Sequence, residues 1–279
     1  LTQEANFSYA HSKSNLPTSP LGSIYTTDLT SYYPEGTCPE GGDYGLGGVG
    51  LPFFTPKNEI LAANSNKKNY DNPRLFLKSI LKPFKGMEVV FEYTFDKNIN
   101  DYHYYTGQWQ YTTIQGGVNV TPSEDYLYKY KNVTDYNAFN LYGTYQFNLK
   151  NHNFKVMAGF NQESKYFEQL DSYSFSQAIM DFPSMTGGTS TIKALDEYNE
   201  VNLRGGFFRV NYNYKDRYLL ELNGRYDGSS KFPKKNRFGF FPSASIGWQI
   251  AEEKFMQSTR DWLGSLKLRA SYGEIGNQN

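Results

Sequence analysis

Residues 218–241 read YLLELNGRYDGSSKFPKKNRFGFF, two apolar-alternating runs on either side of a polar segment rich in Gly, Ser and Lys. In the first run, Leu220 and Leu222 fall on one side of an extended chain, and Glu221 and Asn223 fall on the other. This two-residue period is that of a β-strand whose faces meet two different environments. The stretch therefore predicts a β-hairpin with its loop in water.

The second run continues the alternation beyond the hairpin. Its apolar face comprises Phe238, Phe240, Ala244, Ile246, Trp248 and Ile250. A strand of about 12 residues is longer than the usual 5 or 6 of a soluble sheet, and is close to the length that crosses a bilayer when tilted. The hairpin therefore fits a membrane-spanning sheet if the rest of the chain repeats its pattern.

The same alternation recurs along most of the chain and predicts about eight long strands. Besides the hairpin, strands are predicted at residues 70–82, 87–95, 137–147, 154–160, 203–214 and 266–272, with another ending within residues 1–10. Short turns are predicted at 83–86, 150–153 and 215–217, long loops at 11–69, 97–127 and 165–200, and a short polar connection with one helical turn at 251–264.

This order of connections places every short turn at one edge of an up-and-down sheet and every long loop at the other. Outer-membrane β-barrels have that asymmetry, with short periplasmic turns, long extracellular loops, an apolar outer face and a polar interior. We therefore predict an all-β, antiparallel, transmembrane β-barrel segment. The length of the strands, the placement of all long loops at one edge and the charges on the polar faces all favour a barrel.

A soluble antiparallel β-sandwich also has alternating strands and stays open as an alternative. The two folds differ in the surroundings of one apolar face, which contains Phe91, Tyr145, Val156, Leu220 and Ile246. The barrel places that face in lipid, whereas the sandwich buries it inside the protein.

Composition narrows the function classes. The 279 residues are 18% aromatic, with 25 Tyr and 21 Phe, at a mean hydropathy of -0.66. The 28 basic and 28 acidic residues give no net charge, which argues against a nucleic-acid partner. Cys38 is the single cysteine, and His11, His103 and His152 show no ligand spacing, so we predict neither a metal site nor a cofactor.

Motifs that would indicate catalysis or nucleotide binding lack the neighbouring residues or the secondary structure that they require. Gly45 to Gly50 match G-x-G-x-x-G, but no strand precedes them and Leu51-Pro52 stand where a helix should begin. Ser229 lacks the second glycine of a nucleophile elbow. The loop carboxylates show no pairing that indicates glycosidase chemistry; they are Asp171, Asp181, Asp196 and Glu197. We therefore predict no catalytic residues and no enzymatic activity.

Aromatic side chains are the candidates for ligand contact, because their rings can stack on sugar rings. The candidates in the second predicted loop are Tyr102, Tyr104, Tyr105 and Trp109. Tyr32, Tyr33 and Tyr44 of the first loop have the same property. The alternative, that these rings pack loops onto one another or onto a capping protein, stays open.

The C-terminal third resembles a known family. Residues 209–255 read RVNYNYKDRYLLELNGRYDGSSKFPKKNRFGFFPSASIGWQIAEEKF, and residues 266–279 read LKLRASYGEIGNQN. Together they are similar to the mid-barrel signature of SusC/RagA-type TonB-dependent outer-membrane transporters. The matching blocks are YKDRY at 214–218, RYDGSS at 225–230, FFPS at 240–243, GW at 247–248 and the segment 266–278. Several spaced blocks in the same order are more specific than any one of them.

The resemblance implies the fold and function of that family. Its members are large barrels of the Gram-negative outer membrane, plugged by an N-terminal domain, capped by a SusD-like lipoprotein and energised by the TonB complex. Residues 1–279 are then expected to be a partial β-barrel domain of a longer transporter, whose plug domain and closing strands lie outside this segment. The expected function is import of oligosaccharides, or of peptides, through a multi-pass barrel in contact with outer-membrane lipid. A soluble β-sandwich that binds or hydrolyses glycans is the alternative.

Overall fold

The computed structural model describes residues 1–17, 62–112, 118–259 and 262–276. Some positions considered above lie outside these ranges, namely Tyr32, Tyr33, Cys38, Tyr44 and the Gly45–Gly50 motif. Within the described ranges the chain is almost entirely antiparallel β-structure, as the alternation predicts.

Nine long strands form one antiparallel sheet. They are β1 (Thr2–Pro17), β2 (Ser65–Leu81), β3 (Met87–Thr106), β6 (Tyr126–Leu149), β7 (His152–Phe175), β8 (Ile192–Tyr214), β9 (Tyr218–Ser229), β10 (Phe238–Gln249) and β11 (Lys267–Gly273). Two short strands, β4 (Trp109–Thr112) and β5 (Val118–Thr121), form a separate ribbon. Each long strand lies beside the preceding and the following long strand, so the sheet is up-and-down. Short 3-10 turns occur at Met185–Gly187, Lys234–Asn236, Ile250–Glu252 and Lys254–Thr259.

None of the helical segments in the described ranges has the length and apolar character needed to cross a membrane.

The pairing register joins the predicted apolar faces into one continuous surface. Tyr145 pairs with Val156, Val156 with Val210, and Val210 with Leu222, which in turn pairs with Ala244. A slip of one residue would move every side chain of a strand to the opposite face, so this agreement across five strands fixes the register. We call this side of the sheet the outer face and the opposite side the inner face. The apolar band is the set of outer-face side chains within residues 75–81, 87–95, 139–147, 154–160, 206–214, 218–226, 240–248 and 268–272.

The apolar band is not covered by a second sheet in the described part of the chain. Ile246 is 60% exposed, Phe208 43% and Leu222 40%. A β-sandwich would bury these side chains between two sheets. The sandwich alternative is therefore wrong, and the apolar face is free to contact lipid.

Along the apolar band, the inner face carries the charged side chains of the same strands. Lys78 Nζ lies 2.8 Å from Glu92 Oε1, and an Arg74 guanidinium nitrogen lies 2.5 Å from Asp96 Oδ2. These pairs join β2 to β3 across the sheet. The sheet thus has the apolar outside and polar inside expected of a barrel wall.

Tight turns close the hairpins at one edge of the sheet, at the predicted positions. Lys215 and Asp216, between β8 and β9, have φ of 55° and 56°. Two successive left-handed residues are typical of a type I′ turn, whose twist matches that of antiparallel strands. Gly86, with φ of 87°, lies so close to the Gln146 carbonyl that a Cβ would collide with it. We call this edge the turn end and the opposite edge the loop end.

The strands run farther toward the loop end than predicted. The predicted loop at 97–127 is too long, because β3 continues to Thr106 and β6 begins at Tyr126. The predicted loop at 165–200 is likewise reduced to 176–191. In the first predicted loop, residues 11–17 and 65–69 belong to strands.

The reason for these errors is that the extended strand parts have polar groups on both faces. Backbone pairing continues there without a hydrophobic alternation to mark it. Asn100 Nδ2 donates to Asn132 Oδ1 at 2.8 Å between β3 and β6, and Tyr70 Oη donates to Asn98 Oδ1 at 2.8 Å between β2 and β3. Cross-strand polar pairs of this kind stabilise a sheet without lipid or a core.

Candidate functional site

Aromatic rings cover the inner face of β3, β6 and β7 near the loop end. We call this cluster the aromatic platform; its members are Tyr102, Tyr104, Tyr126, Tyr128, Tyr130, Tyr173 and Phe175. The register brings them together, because Tyr104 pairs with Tyr128 and Tyr128 with Tyr173. All seven side chains are partly exposed, so the platform offers ring faces to a ligand.

Ring contacts make the platform continuous across the three strands. Tyr128 and Tyr173 stack with centroids 4.7 Å apart, and Tyr102 meets Tyr128 edge to face at 5.6 Å. Tyr126 joins Tyr104 at 5.4 Å and Phe175 at 5.8 Å on the side nearer the loops. These separations are typical of favourable aromatic pairs. The rings therefore hold one another in place.

Polar groups border the rings. Lys68 Nζ lies 5.1 Å from the centroid of the Tyr102 ring. The Tyr128 hydroxyl donates to Asp171 Oδ1 at 2.6 Å, and Gln169 Nε2 donates to Asp171 Oδ2 at 2.6 Å. Flat apolar surfaces beside amide, carboxylate and ammonium groups suit a ligand that has both C–H faces and hydroxyl groups.

The phenols of the platform are hydrogen-bond donors at neutral pH. Burial raises the pKa of Tyr126 to about 12. Burial, together with the hydrogen bond to the Asp171 carboxylate, raises the pKa of the Tyr128 hydroxyl well above its usual value. Both residues lie on the inner face of β6, between the apolar band and the loop end. These groups are suited to binding and positioning, not to proton transfer.

The structure separates the four residues predicted to contact a ligand. Tyr102 and Tyr104 belong to the platform, although to a strand and not to a loop. Tyr105 points to the outer face, where it is 4% exposed and donates to Asp125 Oδ2 at 3.2 Å. Trp109 lies in β4 and contacts the Tyr111 ring at 5.3 Å. The platform thus contains only two of the four.

Sequence reasoning missed the platform residues of β6 and β7. The pattern YLYKY at 126–130 places Tyr126, Tyr128 and Tyr130 on one face of a strand. Tyr173 and Phe175 have the same spacing. The signal was present in the sequence, but these residues fell in or beside predicted loops, where a two-residue period has no meaning.

A small buried core backs the platform on the outer face. Leu127 and Ser174 are 0% exposed and Asp125 is 3% exposed. The Gln177 backbone N–H donates to the Asp125 carboxylate at 3.0 Å, and Gln177 Nε2 donates to Ser174 Oγ at 3.0 Å. Because every one of these buried polar groups has a partner, the core fixes the β7–β8 connection to the strands.

The β7–β8 connection ends in an exposed apolar tip, residues 179–182. Ile179 is 62% exposed, Met180 48% and Phe182 79%. Its base is held by the Ser184 N–H, which donates to Gln177 Oε1 at 2.9 Å, and by Ala178, whose N–H donates to the Gly187 carbonyl at 2.8 Å. The tip thus exposes three apolar side chains beside Asp181, and hydrogen bonds hold its base in place.

Asp171 and Ser229, two side chains weighed for catalysis, have hydrogen-bond partners in the structure. Asp171 lies at the border of the platform, and Ser229 is buried, where its Oγ accepts the Lys231 N–H at 3.3 Å in the β9–β10 loop. No group of three or more His, Cys, Asp or Glu residues that could hold a metal ion occurs among the described residues. The aromatic platform remains the candidate site.

A long up-and-down sheet with an apolar band outside and polar groups inside defines the wall of an outer-membrane β-barrel. The family described as "TonB dependent receptor-like, beta-barrel" matches residues 8–278. The chain therefore belongs to this family of TonB-dependent receptors. The predicted resemblance, the barrel fold and the outer-membrane location are confirmed.

Relatives agree with this assignment. TonB-dependent receptor P3 of Formosa agariphila is 29% identical over 256 residues, which are 91% of this chain and 24% of that protein. TonB-dependent receptor SusC of Bacteroides thetaiotaomicron is 33% identical over 147 residues, which are 51% of this chain and 14% of that protein. The chain thus spans at most about a quarter of the length of these curated relatives.

Solved structures share the fold. The RagAB peptide importer in its "open-open" state matches with a TM-score of 0.66 at 17% identity, covering 99% of this chain and 31% of that one. The RagAB peptide transporter matches with a TM-score of 0.64 at 18% identity, covering 81% of this chain and 24% of that one.

Proposed function

We propose that this chain forms part of the wall of a TonB-dependent transporter that imports oligosaccharides, and that the aromatic platform contacts the ligand. The observation that carries the proposal is the row of inward-facing rings beyond the apolar band, bordered by Lys68, Gln169 and Asp171. A sugar ring offers one face of C–H groups to an aromatic ring and hydroxyls to the amide and carboxylate groups around it. Binding needs no covalent chemistry, so the proposed role is transport and not catalysis.

Peptides are the second candidate ligand class. Apolar side chains also pack on aromatic rings, and the RagAB assemblies that share this fold are named as peptide transporters. The hydrogen-bonding groups at the border of the platform, Lys68, Gln169 and Asp171, favour oligosaccharides.

The rest of the transport machinery is proposed from the family. In this proposal residues 1–279 are a partial barrel domain of a longer polypeptide, which supplies the plug domain and the closing strands. The TonB complex supplies energy through those other parts, and a SusD-like surface lipoprotein covers the loop end. The exposed apolar tip at 179–182 supports a protein partner on that side, because exposed aromatic and aliphatic anchors are typical of binding hot spots.

The ligand proposal is tested in the full-length transporter with Tyr173→Ala, which removes the ring that stacks on Tyr128. An aromatic pair contributes about 0.5 to 1.5 kcal/mol, so we expect a loss of affinity of about 2- to 12-fold. Calorimetry with a panel of neutral oligosaccharides and peptides measures it. Tyr166→Ala is the matched control, since Tyr166 lies on the same strand but on the outer face. Equal affinities in both variants would contradict the proposal.

The partner proposal is tested with Phe182→Ser in the apolar tip. Hot-spot residues contribute at least about 2 kcal/mol, so co-purification of a surface lipoprotein should fall by more than tenfold. Tyr198→Ser is the control, because Tyr198 is 75% exposed but lies on the outer face of β8. Undiminished co-purification with Phe182→Ser would exclude the tip as an anchor.

A further inference from the structure

Cationic side chains gather on the inner face near the turn end of β7, β8 and β11. They are Lys155, Arg209, Lys267 and Arg269. Arg209 Nε donates to Asn223 Oδ1 at 2.7 Å, and Arg269 donates to Ser245 Oγ at 3.4 Å. None of the four takes part in an ion pair within the described ranges. No acid is therefore in direct contact with these four cations in the described part of the wall.

Three of these cations line one cavity of about 270 Å³, together with Asn211, Glu221 and Ser245. Lys155, Lys267 and Arg269 bring three positive charges, and Glu221 brings one negative charge. Glu221 accepts a hydrogen bond from Asn223 at 2.9 Å and forms no ion pair with the three cations. The cavity thus has two positive charges in excess.

The cavity also contains an unused hydrogen-bond acceptor. Asn211 Oδ1 is buried and has no donor among the described residues. A buried polar atom without a partner is costly, so such atoms in native proteins are usually satisfied by a group that binds there. The site therefore fits a negatively charged group that stands beside an N–H or O–H donor.

The inner face of β2 and β3 shows that this arrangement is not a general property of the wall. Toward the turn end there, acids of β3 match Arg74, Lys78 and Lys82, as Arg74–Asp96 at 2.5 Å, Lys78–Glu92 at 2.8 Å and Lys82–Glu88 at 3.6 Å. Lys68, nearer the loop end, lies over the Tyr102 ring instead. Unneutralised like charges placed together repel one another and attract a counter-charge. The β7–β11 side has one acid, Glu221, for the three cations that line the cavity.

We infer that the cavity between Lys155, Lys267 and Arg269 is a binding site for a carboxylate next to a hydrogen-bond donor. Two sources have this chemistry. One is an acidic side chain of the polypeptide, with a backbone N–H donating to Asn211. The other is an acidic sugar such as a uronic acid, with a hydroxyl donating to Asn211. This inference goes beyond the proposed function and does not depend on the aromatic platform.

The test is zero-length cross-linking of the full-length transporter in outer membranes with a water-soluble carbodiimide, which joins a lysine amine to a carboxylate in contact with it. Trigalacturonate is added in one arm and left out in the other, and cross-linked peptides are identified by mass spectrometry. Lys78 and Glu92 provide a positive control, since their 2.8 Å ion pair should react. Lys129 provides a negative control, because it lies on the outer face and forms no ion pair in the described ranges.

We expect Lys155 or Lys267 to be joined to a carboxylate other than Glu221. A product with a peptide of the same polypeptide, present in both arms, identifies an internal acid. A product that forms only with trigalacturonate identifies a sugar ligand, and Lys155→Gln should then weaken trigalacturonate binding by roughly 2- to 5-fold without changing maltotriose binding. The inference is overturned if both lysines stay unlinked while Lys78 reacts, or if they react with Glu221 alone.

Discussion

Three strands, β3, β6 and β7, carry aromatic residues in two stretches, and the rings change face between them. Near the turn end the rings point outward, as in Phe91, Phe139 and Phe160. Near the loop end most of them point inward, as in Tyr102, Tyr128 and Tyr173, whereas Tyr105 is buried on the outer face.

The backbone does not change between these two regions. β6 and β7 stay paired without interruption from Leu149 and His152 at the turn to Tyr126 and Phe175 at the loop end. One ladder therefore supports two aromatic surfaces, an outward one within the apolar band and an inward one near the loop end. This difference indicates that the surroundings of each part of a strand, and not its secondary structure, determine which face of the sheet carries the aromatic rings.

The largest expected effect comes from placing a charge on the outer face in each region. Val156→Arg lies in the apolar band, where an arginine costs about 2 to 4 kcal/mol near the bilayer midplane and less toward the interfaces. Val133→Arg lies on the outer face of the neighbouring strand, beyond the band and opposite Glu168. We expect it to be neutral within about 0.5 kcal/mol. Denaturant unfolding of the full-length protein in lipid vesicles measures both.

Equal changes in stability for Val156→Arg and Val133→Arg would contradict the proposed difference between the two regions. Equal losses would mean that the loop-end half is also embedded in lipid. Equal neutrality would mean that the band does not face lipid at all. Membrane extraction at matched expression serves as the control for simple misfolding.

A smaller effect is expected from the buried carboxylate at the loop end. Asp125→Ala leaves the Gln177 N–H and the Tyr105 hydroxyl without their acceptor, at a cost of about 1 to 3 kcal/mol for a buried group. The loss should be local, because these bonds attach the β7–β8 connection to the strands. Hydrogen exchange of residues 176–191 should accelerate while that of β9 and β10 does not change.

The neighbouring Glu124→Ala is the matched control for Asp125→Ala. Glu124 is exposed and accepts the Ser176 hydroxyl at 2.6 Å, so its loss should stay within about 0.5 kcal/mol. If both variants accelerate exchange equally, the buried core does not hold the connection.

The same division explains what the sequence predicts and what it does not. The hairpin at 218–241 is predicted to within a few residues, because β9 and β10 have one apolar and one polar face almost throughout. β3 is predicted only to Phe95, since Lys97 to Thr106 have polar groups on both faces and the ladder of Asn100 and Asn132 leaves no hydrophobic period.

The candidate site was recovered only in part for the same reason. The sequence predicts ligand contact for Tyr102 and Tyr104 from their residue type alone, and residue type does not distinguish them from Tyr105. Strand parity does distinguish them, since it sends Tyr105 to the buried outer face, but parity can be used only once residues 97–106 are known to be a strand.

The smallest effect is expected at the turn end, where the carboxylate of Glu253, with a side chain only 12% exposed, lies at the edge of the apolar band. Glu253, in the β10–β11 connection, accepts the Tyr218 hydroxyl at 2.7 Å and Trp248 Nε1 at 3.1 Å. These hydrogen bonds, that of Tyr218 first, lower the pKa of Glu253 below its ordinary 4.5. A carboxyl with a lowered folded pKa stabilises the protein above its unfolded pKa, and this contribution disappears as pH falls through the folded value.

Wild type should therefore be more stable than Glu253→Gln at neutral pH, and the difference should shrink as the pH is lowered below 4.5. Unfolding midpoints of both full-length proteins between neutral pH and about pH 3 measure this. Tyr218→Phe removes the hydroxyl that donates to Glu253 and should lose part of the same pH-dependent stability. A difference that stays constant over the whole range would mean that Glu253 acts through its shape and not its charge. The turn end would then resemble the loop end, where buried hydrogen bonds hold the β7–β8 connection in place.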